Sequence, residues 1–314
     1  MPHQVSGIIP VMLTPFAQDG QLDYAALERL VDWYIKHDAD ALFAVCQSSE
    51  MQFLSLEERC ALSRAVCRQV NGRMPVVASG HVSETLDDQV AELCAMVETG
   101  ADALVLVSNR LDPENAGTDT FRKSLDEILK RIPTDMALGL YECPAPYRRL
   151  LSDDELKLCR DTGRFVVLKD VSCDLETVKR RVKIVEGSPL AIVNANAAIA
   201  HAAMQAGSKG FSGVFTNFHP DLYAWMYAHR NDDTPLLREL VTFLALAANA
   251  EPLGYPTLAK IYHKGLGIFS TEISRVQTFD IREKFWALEE ILEHISTGTA
   301  QFRARIVAKD GQSA

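Results

Sequence analysis

Phe165-Val166-Val167-Leu168-Lys169-Asp170 is an unbroken apolar run that stops abruptly at a lysine, with Gly163 before it and Ser172-Cys173-Asp174 after it. An apolar run without polar alternation suits a parallel strand covered on both faces. If residues 165–168 are core, Lys169 stands at the C-terminal tip of that strand and is partly stripped of water. Desolvation disfavours the ammonium form and can depress a lysine pKa by about 3–5 units when burial is complete. A neutral amine is the nucleophile for a Schiff base with a carbonyl compound. The plain alternative is that Lys169 snorkels to solvent or pairs with Asp170, and this strand alone leaves it open.

Composition narrows the class. The chain has 314 residues, 47% of them hydrophobic and 24% charged, which fits one large α/β domain or two ordinary ones. Thirty-two basic residues against forty-two acidic ones give a net charge of −10, which repels phosphate backbones and argues against a nucleic-acid partner. No apolar run approaches the ~20 residues of a membrane span, and Met1-Pro2-His3-Gln4 does not open a signal peptide. The expectation is a cytoplasmic protein with no membrane partner. Seven cysteines without a Cys-x-x-Cys pair argue against a disulfide framework and a thiolate metal site.

Working outward from residues 165–170, the same alternation of strand and helix recurs along the first 230 residues. Predicted strands cover 7–13, 41–45, 75–79, 103–107, 136–141, 165–169, 190–194 and 210–215. Helical spacing follows each one, at 22–35, 56–70, 85–97, 121–132, 154–160, 175–185, 199–206 and 220–228. Eight strand-helix units close into a (β/α)₈ TIM barrel with its active site at the C-terminal ends of the strands. A doubly wound sheet is the competing fold, but no Gly-x-Gly-x-x-Gly turn follows any predicted strand. The expected organisation is a barrel over 1–230 and a helical extension over 231–314, with helices at 236–250, 255–266 and 274–295 and a partly frayed tail from Thr297.

A barrel makes the strand tips neighbours. They comprise Thr14, Cys46-Gln47-Ser48-Ser49-Glu50, Ser79-Gly80-His81, Ser108-Asn109-Arg110, Tyr141, Lys169, Asn194-Ala195-Asn196 and residues 213–217. One amine, one phenol and several hydroxyls and amides suit carbonyl chemistry, whereas neither a metal-binding cluster nor a Ser-His-Asp arrangement is recognisable.

Leu13-Thr14-Pro15-Phe16, Ser48-Ser49-Glu50 with Leu54-Ser55-Leu56-Glu57-Glu58-Arg59, Tyr141 with Pro144, Leu168-Lys169-Asp170 and the segment 207–213 occur in an order and spacing that resemble one family. It is the dihydrodipicolinate synthase and N-acetylneuraminate lyase family of class I pyruvate-type aldolases. The resemblance implies that Lys169 is the Schiff-base lysine, that Tyr141 shuttles protons, and that Ser48 and Ser49 belong to a turn that holds a keto acid's carboxylate. It also implies a homo-oligomer, a tetramer as in the family, and a reaction that needs no cofactor.

Departures from the family pattern point to an unusual second substrate. Cys46-Gln47 replaces Gly-Thr, and Glu142-Cys143 follows Tyr141. Pro146 takes the register of the synthases' dicarboxylate-binding arginine, leaving Arg148 as the possible substitute. Ser108-Asn109-Arg110 lacks a tyrosine pair, and Asn196 stands where sugar-acid lyases tend to have Asp. Gln47, Asn109, Asn196 and Asn217 offer amides suited to hydroxyl groups, each able instead to cap a helix or satisfy a loop. The expected function is a lyase, aldolase or dehydratase, acting on a 2-keto acid such as pyruvate or a 2-keto-3-deoxy sugar acid. The alternative is a non-catalytic paralogue that binds such an acid.

Overall fold

The computed structural model describes residues 4–310. Its strands are β1 (Gly7–Ile8), β2 (Leu42–Phe43), β3 (Val76–Ala78), β4 (Ala103–Val107), β5 (Ala137–Tyr141), β6 (Phe165–Asp170), β7 (Ala191–Asn194) and β8 (Gly210–Phe211). All pair in parallel, in the order β1-β8-β7-β6-β5-β4-β3-β2. A parallel bridge between Val11 and Phe43 joins the two ends, supported by Phe43 N–H to Pro10 O at 2.9 Å and Met12 N–H to Phe43 O at 3.0 Å. The sheet therefore closes into the eight-stranded barrel that the alternation of strand and helix implies.

Every residue of β6 is buried, as a strand flanked by two others and covered by helices requires. β1, β2 and β8 shrink to two residues each, against expectations of 7–13, 41–45 and 210–215. β8 and β1 pass so closely that a Cβ on Gly210, which has φ +141°, would lie 1.8 Å from the Gly7 carbonyl oxygen. Only glycine tolerates both that dihedral and that approach. After β8 the chain turns into the 3₁₀ segment Val214–Asn217 instead of extending to residue 215.

The connecting helices start where capping chemistry directs them. Ser55 caps Leu56–Val70 and Ser152 caps Asp153–Asp161, each in a reciprocal capping box with Glu58 or Glu155. Thr85 and Asp174 cap Leu86–Val97 and Leu175–Ile184 in the same sense.

The extension folds as Pro235–Ala247, the 3₁₀ segment Ala248–Leu253, Thr257–Gly265, the short turn Ile281–Lys284, and Leu288–Asp310. Two expectations are corrected here. Residues 274–280 are not helical, because the Glu50 carboxylate, reaching from the barrel, takes the N–H groups of Arg275 at 2.5 Å and Val276 at 3.1 Å. The tail is not frayed as far as residue 310: Arg303 makes a two-point ion pair with Asp221 at 2.6 and 2.8 Å, and Thr299 bonds His219 at 3.0 Å. The last four residues of that tail and the first three of the chain lie outside the described residues. Leu237, Leu240, Leu244, Leu288, Leu292 and Ile295 of the extension join the same apolar core as the barrel strands.

Candidate active site

Register decides which side chains meet at the mouth of the barrel. Tyr141 pairs with Lys169 across β5 and β6, so both side chains emerge on the same face. Lys169 is 7% exposed. Its Nζ sits 4.5 Å from the Tyr141 ring centroid and 5.9 Å from that of Phe43. No hydrogen bond or ion pair holds this amine among the described residues. Burial pushes its pKa below the ordinary lysine value, against the weaker pull of Cys46, Cys143 and Glu251.

The alternatives for Lys169, snorkelling and pairing with Asp170, both fail on geometry. The next residue along a strand points to the opposite face, and there Asp170 is ion-paired with Arg181 and accepts from the Ser172 hydroxyl at 2.6 Å. Glu142, which follows Tyr141, does the same. It accepts from Leu151 N–H at 2.8 Å, Val171 N–H at 3.0 Å and Arg181 at 2.5 and 3.0 Å. Burial nonetheless raises the Glu142 pKa, outweighing the attraction of Arg181. The helix Leu175–Ile184 thus supplies one guanidinium that locks the tips of β5 and β6 from behind. The departure Glu142 is explained by this lock.

The turn after β2 is built from its own hydroxyls. Ser49 Oγ accepts from Cys46 N–H at 2.6 Å and donates to Cys46 O at 2.8 Å, while Thr14 donates to Ser49 O at 2.7 Å. Glu50 takes φ +62° and pairs with Lys260. Gln47 and Ser48 are left facing the barrel mouth, with Gln47 Oε1 3.5 Å from the Tyr141 hydroxyl and 3.4 Å from Cys143 Sγ.

A cavity of about 290 Å³ gathers Lys169, Tyr141, Gln47, Ser48 and Asn196, together with Glu251 and Tyr255. A second cavity of about 240 Å³ adjoins it through Ala195, Asn196, Val214 and Glu251. Ser49, Asn109 and Arg148 do not line either. Asn109 Nδ2 donates to Cys143 O at 2.9 Å, Ala145 O at 3.1 Å and Tyr147 O at 2.7 Å, so its amide ties down the loop after β5. Arg148 donates to Val171 O at 3.1 Å. Asn217 is consumed by backbone and by two tyrosines. Asn196 Oδ1 accepts from Ile199 N–H at 3.3 Å, which leaves its NH₂. His81, another strand-tip residue, is fully buried; its Nε2 accepts from Val107 N–H at 2.7 Å and burial lowers its pKa to about 4.

Glu251 and Tyr255 were not foreseen. Both come from the extension, which sequence reasoning treated only as packing. The one available signal was Pro252 and Gly254 interrupting a helical pattern, since such breaks make loops and loops carry function. Among the described residues no three His, Cys, Asp or Glu side chains are grouped to hold a metal ion.

Comparison with known proteins bears on lineage and fold. The sequence profile of the Dihydrodipicolinate synthetase family matches residues 4–250. The 4-hydroxy-tetrahydrodipicolinate synthase of Coxiella burnetii is 27% identical over 220 residues, covering 69% of this chain and 72% of the relative. That of Bacillus subtilis is 30% identical over 180 residues, covering 57% and 59%. Among solved structures, the chloride-inhibited dihydrodipicolinate synthase from Acinetobacter baumannii, complexed with pyruvate, superposes with a TM-score of 0.80 at 23% identity over 94% of this chain and 99% of that one. The enzyme from Bacillus anthracis gives a TM-score of 0.81 at 21% identity over 93% and 98%. These structural likenesses establish the fold, and the profile match over most of the chain establishes the lineage: this protein belongs to the dihydrodipicolinate synthetase family.

Proposed function

We propose that this protein is a lysine-imine lyase, an aldolase or dehydratase, that acts on a 2-keto acid. The observation that carries the reading is Lys169, a buried amine without an ion-pair partner at the floor of the cavity, with the Tyr141 ring beside it. The amine attacks the ketone carbon, water leaves, and the protonated imine becomes an electron sink for the enamine formed when a neighbouring bond breaks. Tyr141 relays the protons. Ser48 donates to the carboxylate, while Ser49 acts from behind by holding the shape of the turn. Residues 1–230 form the barrel in this reading, and 231–314 an extension that completes its mouth. Incubation with pyruvate and borohydride is expected to leave a reduced pyruvyl adduct on the Lys169 peptide. No adduct with pyruvate or any other 2-keto acid would favour the binding-only alternative.

For the second substrate, polyhydroxylated chains fit better than a carboxylate-bearing semialdehyde. Gln47, Asn196 and Glu251 line the route from Lys169 into the adjoining cavity, and among the described residues no arginine lines either space. Carboxylate and amide groups match hydroxyls, whereas Glu251 repels a second carboxylate. A panel of 2-keto-3-deoxy sugar acids is expected to be cleaved or dehydrated far faster than aspartate semialdehyde is condensed with pyruvate; the reverse order would sink this assignment. We further propose a cytoplasmic homotetramer. Exposed Trp286, Phe279 and Leu266 on the extension motivate the assembly, and a sedimentation mass near the single-chain 34.8 kDa would refute it.

A further inference from the structure

The extension brings to the cavity a phenol whose proton has one direction left to point. The Tyr255 oxygen lies 3.0 Å from Asn217 Nδ2. Asn217 is fully buried, and carbonyls fix which way its amide faces, because Nδ2 is 2.9 Å from Val11 O and 3.1 Å from Val214 O. Its Oδ1 accordingly accepts from the Tyr34 hydroxyl. An amide nitrogen cannot accept, so the Tyr255 oxygen can only share one of the two Nδ2 protons, and the phenolic proton is left for the cavity side, which Ser48 also lines.

The turn after β2 has fewer donors to offer a substrate than its sequence suggests. Ser49 is committed to the Cys46 backbone, and Gln47 holds its acceptor oxygen toward Tyr141 and Cys143. Ser48 is the one hydroxyl of that turn that lines the cavity. Among the described residues no arginine lines it, and Lys169 is engaged with the ketone carbon, so the carboxylate is left to neutral donors. Burial keeps the Tyr255 phenol protonated well above its ordinary range, which preserves it as a donor.

We propose that Tyr255 is a substrate-binding residue, its hydroxyl pairing with that of Ser48 to anchor the carboxylate of the keto acid that Lys169 captures, with Asn217 and Tyr34 as positioning residues. This rests on the lysine-imine reading above. It gives the extension a chemical role, since the turn after β2 alone would present a single hydroxyl to the anion.

The test is the concentration dependence of borohydride-trapped labelling with pyruvate and with methyl pyruvate, whose ester removes the charge but keeps the ketone. In Tyr255→Phe the half-saturating pyruvate concentration is expected to rise roughly 10- to 100-fold, the range for a hydrogen bond to a charged group. Methyl pyruvate labelling is expected to change little, and Ser48→Ala to repeat the pattern. An equal loss with both ketones, or no loss with pyruvate, would overturn the proposal. If the parent protein forms no adduct with either ketone, the imine reading falls instead, and the anchor is then judged by pyruvate-induced thermal stabilisation. Loss of that stabilisation in Tyr255→Phe supports the anchor, and its retention overturns it.

Discussion

Two buried lysines sit at opposite sides of the barrel mouth, and they differ in what they were given as partners. Lys260, in the helix Thr257–Gly265, is 0% exposed, pairs with Glu50, and donates to Ile273 O at 2.7 Å. Lys169 is nearly as buried, yet among the described residues its amine makes no hydrogen bond or ion pair and feels the Glu251 carboxylate only through space. Each ammonium lies 4.5 Å from an aromatic ring centroid, Phe16 for Lys260 and Tyr141 for Lys169, so the rings do not account for the difference. Burial lowers both pKa values, that of Lys260 to about 8 in spite of Glu50. A lysine buried with its partners clamps the extension to the barrel; one buried without them is left to react.

The sharpest break of this comparison is to remove each amine. Lys169→Ala is expected to abolish the borohydride-trapped adduct and to cut turnover by at least ~10³-fold, as loss of a covalent nucleophile does. Lys260→Met, by contrast, should retain the adduct in whatever protein folds. Turnover that survives Lys169→Ala would show that the unpaired lysine is an ornament of the fold.

Tyr141→Phe separates the ring from the hydroxyl. The ring face over which Lys169 sits is preserved, so imine formation should persist while turnover falls about 10²- to 10⁴-fold through loss of proton transfer. Parallel loss of labelling and turnover would mean that the phenol is needed to form the imine itself.

In stability the order reverses. Lys260→Met leaves Glu50 buried without its cation and is expected to cost about 3–5 kcal/mol in urea unfolding, with partial rescue by Glu50→Gln. Lys169→Met should be neutral or stabilising by about 1–2 kcal/mol, since it removes a buried cation that has no partner. Equal destabilisation by the two would erase the contrast.

The smallest expected effect is the pH dependence. With the native pKa of Lys169 depressed below 10.5, the unfolded chain binds more protons than the native one between the two values. Stability attributable to this lysine therefore rises with pH across that window, and the burial penalty is fully present below it. Labelling should titrate upward with the same depressed pKa and then level off. A midpoint at or above 10.5 would contradict desolvation as the cause.

Periodicity made the barrel readable. The apolar run 165–168 and its seven counterparts mark strands because burial on both faces demands such runs, and Ser55, Thr85 and Ser152 mark helix starts because unpaired N–H groups demand caps. Lys169 and Tyr141 could be picked out for the same reason: a polar residue ending an apolar strand lands at the barrel mouth wherever the strand lies. Side-chain hydrogen-bond partners are not written in such patterns. Asn109, Asn217 and Arg148 looked available for substrate, but backbone carbonyls distant in sequence claimed them. Residues 274–280 carried helical spacing, and the carboxylate of Glu50, more than two hundred positions earlier, took the N–H groups of Arg275 and Val276 first. Tyr255 reaches the site only because the extension folds back over β6, β7 and the turn after β2. Local sequence determines where the chain runs straight, coils or turns, since those preferences act over a few residues; which polar atoms remain free for chemistry depends on every group brought near them, and that is settled only once the chain has closed on itself.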